Sequence, residues 1–369
     1  MNFKFKNKSG ITLIALIITI IVMLIQVAVS ISVALNTGLF KSAGDATKNW
    51  KSAQDTEANV GAEIKIGDKT YSSIEEYIED TKPLPEIKAG EKATTTSKYE
   101  TAVIPAGFTV SGIKSETTID GGLVIYDIPE DKLENVKWDG TEKTKYNQFV
   151  WIPVEVNKTT EPNTTNDTND KTGIASQIEN LTKSIYKYGG FYIGRYEAGS
   201  KTERTSTSKT TVTPIGIKQD MYPYNYVKWG DSMSSIGEVG AVYLSNSLYN
   251  SSNSGATSML CTGACWDSML DFIKNTKNIT SSADWGNYND AEFDITRGKY
   301  AVYSNGTLGN FQNVNNEYPK AKNTSVLLTT GASERNLAKN IYDVAGNLYE
   351  WTTESDSSDY RVFRGRQLL

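Results

Sequence analysis

Histidine is absent from all 369 residues. That excludes Ser-His-Asp and Cys-His nucleophilic sites and every histidine-ligated metal centre. Cysteine is nearly absent too: Cys261 and Cys265, four apart, are the two in the chain. A single pair without histidine is too few ligands for structural zinc, and helical geometry at that spacing suits a disulfide poorly. Two unlinked, partly buried thiols are the plain reading, and a redox-active pair the sharper one. Neither sign of charge dominates, with 38 basic and 43 acidic side chains and a net charge of −5, so no nucleic-acid footprint is visible. What is plentiful is tyrosine, asparagine, serine and threonine, the composition of surfaces that bind through adaptable polar contacts.

One long apolar run stands out. Residues 1–10 carry Lys4, Lys6 and Lys8 and no acid, and residues 11–35 carry no charge at all. At about 1.5 Å per residue such a helix reaches across a bilayer of roughly 30 Å, and it is longer than the apolar core of a cleaved signal peptide. The lysines then predict a cytoplasmic N-terminus, a single membrane pass and an extracytoplasmic remainder. Residues 36–98 read as a helical stalk and linker. A weak apolar stripe runs through Leu39, Phe40, Ala43, Ala46 and Trp50, a short helix is centred on Ile74, Tyr77 and Ile78, and a Thr-, Lys- and Ser-rich stretch fills 90–98.

From residue 99 to 369 the pattern is that of a mixed, α+β domain: short β-like runs at 103–110, 122–128 and 149–156, separated by turn residues. The run 122–128 is almost continuously apolar, as expected of a strand covered on both faces. Polar stretches at 157–171, 200–211 and 245–258 read as loops. Residues 262–274 give the best helical signal of the domain, with Trp266, Met269, Leu270 and Ile273 on one face and Thr262 placed as N-cap.

The richest stretch is Asn340-Ile341-Tyr342-Asp343-Val344-Ala345-Gly346-Asn347-Leu348-Tyr349-Glu350-Trp351-Thr352. Apolar residues alternate here with oxygen-bearing ones, and Gly346-Asn347 is a turn dipeptide that tolerates positive φ. The plain reading is a turn into a half-buried strand. The sharper one closes Asp343, Glu350 and intervening turn carbonyls around a hard cation such as calcium. Glu197 and Asp267 also lie in motif-like segments, but nothing in the sequence makes any two carboxylates converge.

Five ordered segments together resemble the formylglycine-generating-enzyme, or sulfatase-modifying-factor, family, which has a C-type-lectin-like fold. They are the stretch just quoted, Asn147-Gln148-Phe149-Val150-Trp151-Ile152-Pro153-Val154, Gly189-Gly190-Phe191-Tyr192-Ile193-Gly194-Arg195-Tyr196-Glu197-Ala198-Gly199, Gly263-Ala264-Cys265-Trp266-Asp267 and Arg361-Val362-Phe363-Arg364-Gly365. The resemblance implies one calcium held by the Asp343 side chain, the Gly346 and Leu348 carbonyls and the Glu350 carboxylate, with Asp343 standing where the family commonly has asparagine. The family's catalytic cysteine pair follows an Arg-Gly-Gly segment. Here the chain reads Arg364-Gly365-Arg366-Gln367-Leu368-Leu369, and Cys261 and Cys265 fall at the wrong place in the motif order. Formylglycine formation is therefore not expected, and no catalytic residue is assigned.

The junction Lys8-Ser9-Gly10-Ile11-Thr12-Leu13-Ile14-Ala15 resembles a type IV prepilin leader. It implies cleavage by a prepilin peptidase after Gly10, methylation of Ile11, and packing against other pilin subunits. Ala15 stands where the family has glutamate, which counts against efficient filament assembly; an unprocessed signal anchor is the alternative. The combined expectation is a membrane-tethered minor pilin or adhesin whose non-catalytic head recognises an unidentified extracellular ligand. The rivals are an enzyme relative acting on exported substrates and a purely structural filament subunit.

Overall fold

The computed structural model describes residues 18–23, 64–67, 69–155, 174–205, 213–230, 240–250, 255–278, 280–355 and 361–365. The chain divides into two units, Met1–Pro83 and Leu84–Leu369. In the first, β1 (Ile64–Ile66) and β2 (Lys69–Tyr71) form an antiparallel pair leading into α1 (Ile74–Thr81). The Ser73 hydroxyl caps α1 by accepting from Glu76 N at 3.1 Å, and the Glu76 carboxylate accepts in turn from Ser72 N.

Two expectations are corrected by this structure. The described part of the apolar run, residues 18–23, is helical but spans only about 9 Å at 1.5 Å per residue. No described helix is long and apolar enough to cross a membrane. The expected long transmembrane helix, and with it the single-pass membrane location with an extracytoplasmic head, is not what the described chain contains. The longest described helix, Ile174–Tyr188, has 15 residues, and charged side chains such as Glu179 and Lys183 interrupt it. The leader residues Gly10 and Ile11 lie outside the described residues, as does the whole polar stretch expected at 157–171.

The second unit is built of helix and sheet together. A hairpin of β3 (Ser97–Tyr99) and β4 (Ala102–Ile104) precedes a four-stranded antiparallel sheet. That sheet consists of β5 (Thr109–Val110), β6 (Val124–Tyr126), β7 (Gln148–Pro153) and β8 (Gly190–Gly194), joined in chain order. Because side chains alternate across a strand, each strand feeds two cores. Val124, Tyr126, Val150 and Ile152 pack with Cys265, Trp266, Met269 and Ile273, whereas Leu123, Ile125 and Trp151 pack with Ala93, Ala102, Ile104, Phe108 and Val110. The continuous apolar run at 122–128 thus reflects burial on both faces.

Segment 90–98, expected as the linker, belongs to this unit, as do residues 84–89 before it. Its backbone is bonded along the sheet edge, Ile87 N to Lys98 O at 3.0 Å, Gly90 N to Val110 O at 2.9 Å and Ala93 N to Phe108 O at 2.8 Å, and Ala93 is buried. Its polar composition misled because backbone groups, not side chains, tie it down.

After α2 (Glu130–Leu133), α3 (Ile174–Tyr188) and the pair β9 (Gly199–Ser200) and β10 (Tyr222–Pro223), two helices follow. They are α4 (Ala241–Leu248) and α5 (Gly263–Ile273). Residues 245–248, expected in a loop, form the end of α4. Helix α5 matches its sequence reading: Thr262 Oγ1 accepts from Cys265 N at 3.0 Å, and Trp266, Met269 and Ile273 are buried. A second β layer contains β11 (Phe293–Ile295), β12 (Lys299–Ser304), β13 (Thr307–Leu308), β14 (Gln312–Asn313), β15 (Tyr318–Lys320) and β16 (Ser325–Leu328). In it β12 pairs with β13, β14 and β16, and β11 with β15. The hairpin of β17 (Glu350–Ser355) and β18 (Arg361–Arg364) closes the described chain.

Candidate functional site

The loop between β16 and β17 is shaped by its backbone before its side chains. Lys339, Asn340, Asp343, Gly346 and Asn347 all take left-handed conformations, with φ of 45, 64, 62, 81 and 66°. Asn, Asp and Gly are the residues that adopt this region at least cost. Gly346 is required on a second count: a Cβ there would stand 2.2 Å from the Asn287 carbonyl oxygen. That close approach lets Asn287 N donate to Ala345 O at 2.9 Å and Asn347 N to Asn287 O at 3.2 Å. On the other side, Tyr342 N donates to Arg195 O at 2.8 Å, tying the loop to the segment that follows β8.

Asn347, fully buried, is the polar hub. Its side-chain oxygen accepts from Leu328 N at 2.9 Å and from Asn287 Nδ2 at 3.1 Å, and its amide nitrogen donates to Leu328 O and to the Glu197 carboxylate. It thereby draws Glu197 to Asp343 and Glu350. Asp343 is 2% exposed; its Oδ2 accepts from Gly331 N at 2.7 Å, while its Oδ1 has no partner. The Asn336 side chain stands near enough to bias Asp343 toward its charged form, yet neither of its polar atoms is in hydrogen-bonding geometry with any group. Asn287 Oδ1 is likewise buried and without a donor. Buried acceptors of this kind are uncommon and call for an explanation.

The charge of Asp343 acts on the other two carboxylates. Burial pushes Glu350 up to about 8, with the charge of Asp343 adding to the effect. Burial pushes Asp343 up to about 7, against the Gly331 N–H, Asn336 and Arg297, which favour its charge. Glu197 is raised furthest, by burial and then by repulsion from Asp343 and Glu350, with only the Asn347 amide opposing. Near neutral pH the cluster therefore holds protons that a dication would displace.

Asp343 lies near enough for its charge to be felt by Glu350, and Glu197 feels both. Among the described residues no three Asp, Glu, Cys or His side chains are set to grip a metal by themselves. An ion here would rest on two carboxylates and on backbone oxygens. The Gly346 and Leu348 carbonyls suit that role, since no backbone N–H of the described residues is bonded to them. The residues present therefore fit a hard cation: an unpartnered carboxylate oxygen, a second carboxylate and two open carbonyls.

Other candidates fall elsewhere. Asp267 lies apart from the cluster and pairs with Arg364 at 3.2 Å, while Arg364 also clamps Glu354 at 2.6 Å. Cys261 and Cys265 flank the N-cap of α5 and form no disulfide. Burial, then the neighbouring Cys265, raises the Cys261 thiol well above its ordinary value, the wrong direction for a nucleophile.

No family model, curated protein or solved structure matches the chain.

The site is thus read from its own geometry. Sequence reasoning missed Asn287, Asn336 and the support beneath Glu197. There Arg195 forms a buried ion pair with Glu116 at 2.8 Å, and Ser111 and Tyr126 hydroxyls donate to Glu116 at 2.6 and 2.8 Å. Burial opposes the charge of Glu116, but Arg195 and these two donors outweigh it and hold its pKa down. An Arg-Tyr-Glu run directly after a strand was the available signal, since a cation and an anion beside an apolar strand each need a partner when buried.

Proposed function

We propose that the unit beginning at Leu84 is a non-catalytic recognition module whose loop between β16 and β17 is fixed by one calcium ion. Asp343 and Glu350 would hold the ion with the Gly346 and Leu348 carbonyls, and Glu197 would supply further negative charge. The observation that carries this reading is Asp343 Oδ1, a buried carboxylate oxygen without a hydrogen bond in good geometry, beside Glu350 and Glu197, which its charge helps to raise. Calcium accepts such a mixture of carboxylate and carbonyl oxygens and completes its six to eight positions with water. Bound, it neutralises the mutual repulsion and orders the loop, which is joined to β8 through Tyr342 and Arg195.

A paired-carboxylate hydrolase is the weaker reading. Asp343, 2% exposed, is shut away from any substrate, and acid–base work needs hydrogen-bond reach to the reacting group. The recognition role follows the likeness to the formylglycine-generating family without its chemistry.

The test is the melting temperature of the full chain with millimolar calcium and with chelator. A ligand that binds only the folded state stabilises by RT ln(1 + [L]/Kd), about 2.7 kcal/mol at a hundredfold excess over Kd. A clear calcium-dependent rise that Glu350→Gln abolishes supports the site. No shift in the wild type removes it, and an equal shift in the variant moves it elsewhere.

A further inference from the structure

Gly331 gives its N–H to Asp343, but its carbonyl turns to a different feature, accepting from Arg297 Nε at 2.8 Å. Arg297 lines a half-open cavity of about 210 Å³ together with Thr141, Thr144, Gln219, Asp220 and Thr330. At roughly 30 Å³ per water this is room for about seven waters, the size of a small metabolite and too little for a peptide segment or an oligosaccharide.

The cavity contains one cation and one anion that do not pair with each other. Arg297 Nη1 is bonded to Glu334, the Tyr342 side chain stands beside the guanidinium, and Arg297 Nη2 is buried without a hydrogen bond in good geometry. Asp220 Oδ1 accepts from the Thr329 hydroxyl at 3.0 Å, and the residue is exposed in a left-handed conformation at φ 58°. A non-glycine residue held in that region signals a constraint imposed by its surroundings. Here the constraint is visible. Asp220 N donates to Thr330 O at 2.9 Å, Met221 N to Thr330 Oγ1 at 3.0 Å and Thr330 N to Met221 O at 2.9 Å. Gly298 leaves the wall bare between the two charges, since a Cβ there would meet Thr329 Oγ1 at 2.4 Å and lie 3.3 Å from Asp220 Oδ1. The two opposite charges are therefore mounted on a stitched frame and kept apart.

We infer that this cavity binds a small zwitterion, a free α-amino acid being the simplest. Its carboxylate would lie against the Arg297 guanidinium and its ammonium against Asp220, with the Thr141 and Thr144 hydroxyls and the Gln219 amide offered to any polar side chain. Guanidinium suits a carboxylate because its donors match the oxygen pair, and charge-assisted bonds are the stronger ones. A neutral polyol would offer the Asp220 carboxylate no charged partner and would not compete with Glu334 for the Arg297 guanidinium. This site uses none of the ligands of the proposed calcium site, although Gly331 and the charge of Arg297 touch both.

Titration calorimetry of the full chain with a panel of free L-amino acids, their N-acetyl derivatives, their carboxamides and glucose tests it. Expected is saturable binding of at least one free amino acid, weakened about tenfold or more by blocking either end, and no binding of glucose. Asp220→Asn keeps the left-handed preference and the bond from Thr329, so its melting temperature should hold. It should weaken the free amino acid about tenfold or more and erase discrimination against the N-acetyl form. Arg297→Lys should retain part of the affinity through charge alone. No saturation by any amino acid up to about 10 mM, weaker than the millimolar range of the feeblest specific ligands, overturns the inference. So does equal binding of free and blocked forms, or an Asp220→Asn variant that binds as the wild type does.

Discussion

Replacing Arg195 by methionine removes the buried cation two residues before Glu197 while keeping most of the buried stem. In the wild type Arg195 Nη1 lies 2.8 Å from Glu116 Oε1, with the two side chains 8% and 5% exposed. It also donates to Tyr126 Oη at 3.1 Å and Gln148 Oε1 at 3.0 Å. Removing one partner of a buried pair leaves an uncompensated charge and costs about 3–5 kcal/mol. At roughly 2–4 °C per kcal/mol for a domain of this size class, the melting temperature should fall by about 10 °C.

The pH dependence sharpens the test. Wild-type Glu116 is held below its ordinary value, so its contribution is complete above the ordinary carboxylate range and is lost as pH falls through the lowered value. In the variant burial is opposed only by the Ser111 and Tyr126 donors and raises Glu116, so stability falls as pH rises past the ordinary value. The gap between wild type and variant should be small near pH 4 and widen toward neutrality, and adding Glu116→Gln should close much of it. Differential scanning calorimetry across that range reads both effects. A variant melting within about 2 °C of the wild type at neutral pH would refute the claim that the pair supports the segment carrying Glu197.

Two further outcomes follow from the structure. Gly346→Ala forces a Cβ into the Asn287 carbonyl oxygen at 2.2 Å and strains a φ of 81°; expected is a loss of about 2–4 kcal/mol by chemical denaturation and loss of any calcium response. Lys320, 1% exposed and bonded to the Tyr288 and Ala291 carbonyls at 2.6 Å each, is lowered by burial to about 8. The unfolded chain then binds more protons than the folded one between about pH 8 and 10.5, so stability should rise with pH in that window, by at most about 3 kcal/mol. Lys320→Met should flatten that rise.

The sequence exposed those parts of the fold that local rules control. The stripe of Trp266, Met269 and Ile273 and the Thr262 cap are set by helical spacing and one hydroxyl. The double-sided burial of 122–128 shows as an unbroken apolar run, and the left-handed turn at Gly346-Asn347 shows in residue type. The N-terminal run looked like a membrane helix because hydropathy and length alone point there, yet no described helix meets the requirement. The carboxylate cluster was half legible. Asp343 and Glu350 share a stretch, but Glu197 joins them only through Asn347, 150 residues away, and Asn287 reaches Asn347 across 60. Such polar contacts leave no periodic trace, and neither does the edge-bonded segment 84–98.

The central claim is that Asp343 and Glu350 hold calcium, and a calcium titration of the full chain by calorimetry at about pH 6 and pH 8.5 tests it most directly. With Glu350 raised to about 8 and Asp343 to about 7 in the absence of an ion, binding must displace protons. Expected is a single site whose affinity is about tenfold or more higher at the upper pH, with proton release visible as a buffer-dependent heat and with binding lost in Glu350→Gln. No saturable binding at either pH, or the same affinity in wild type and Glu350→Gln, would contradict it.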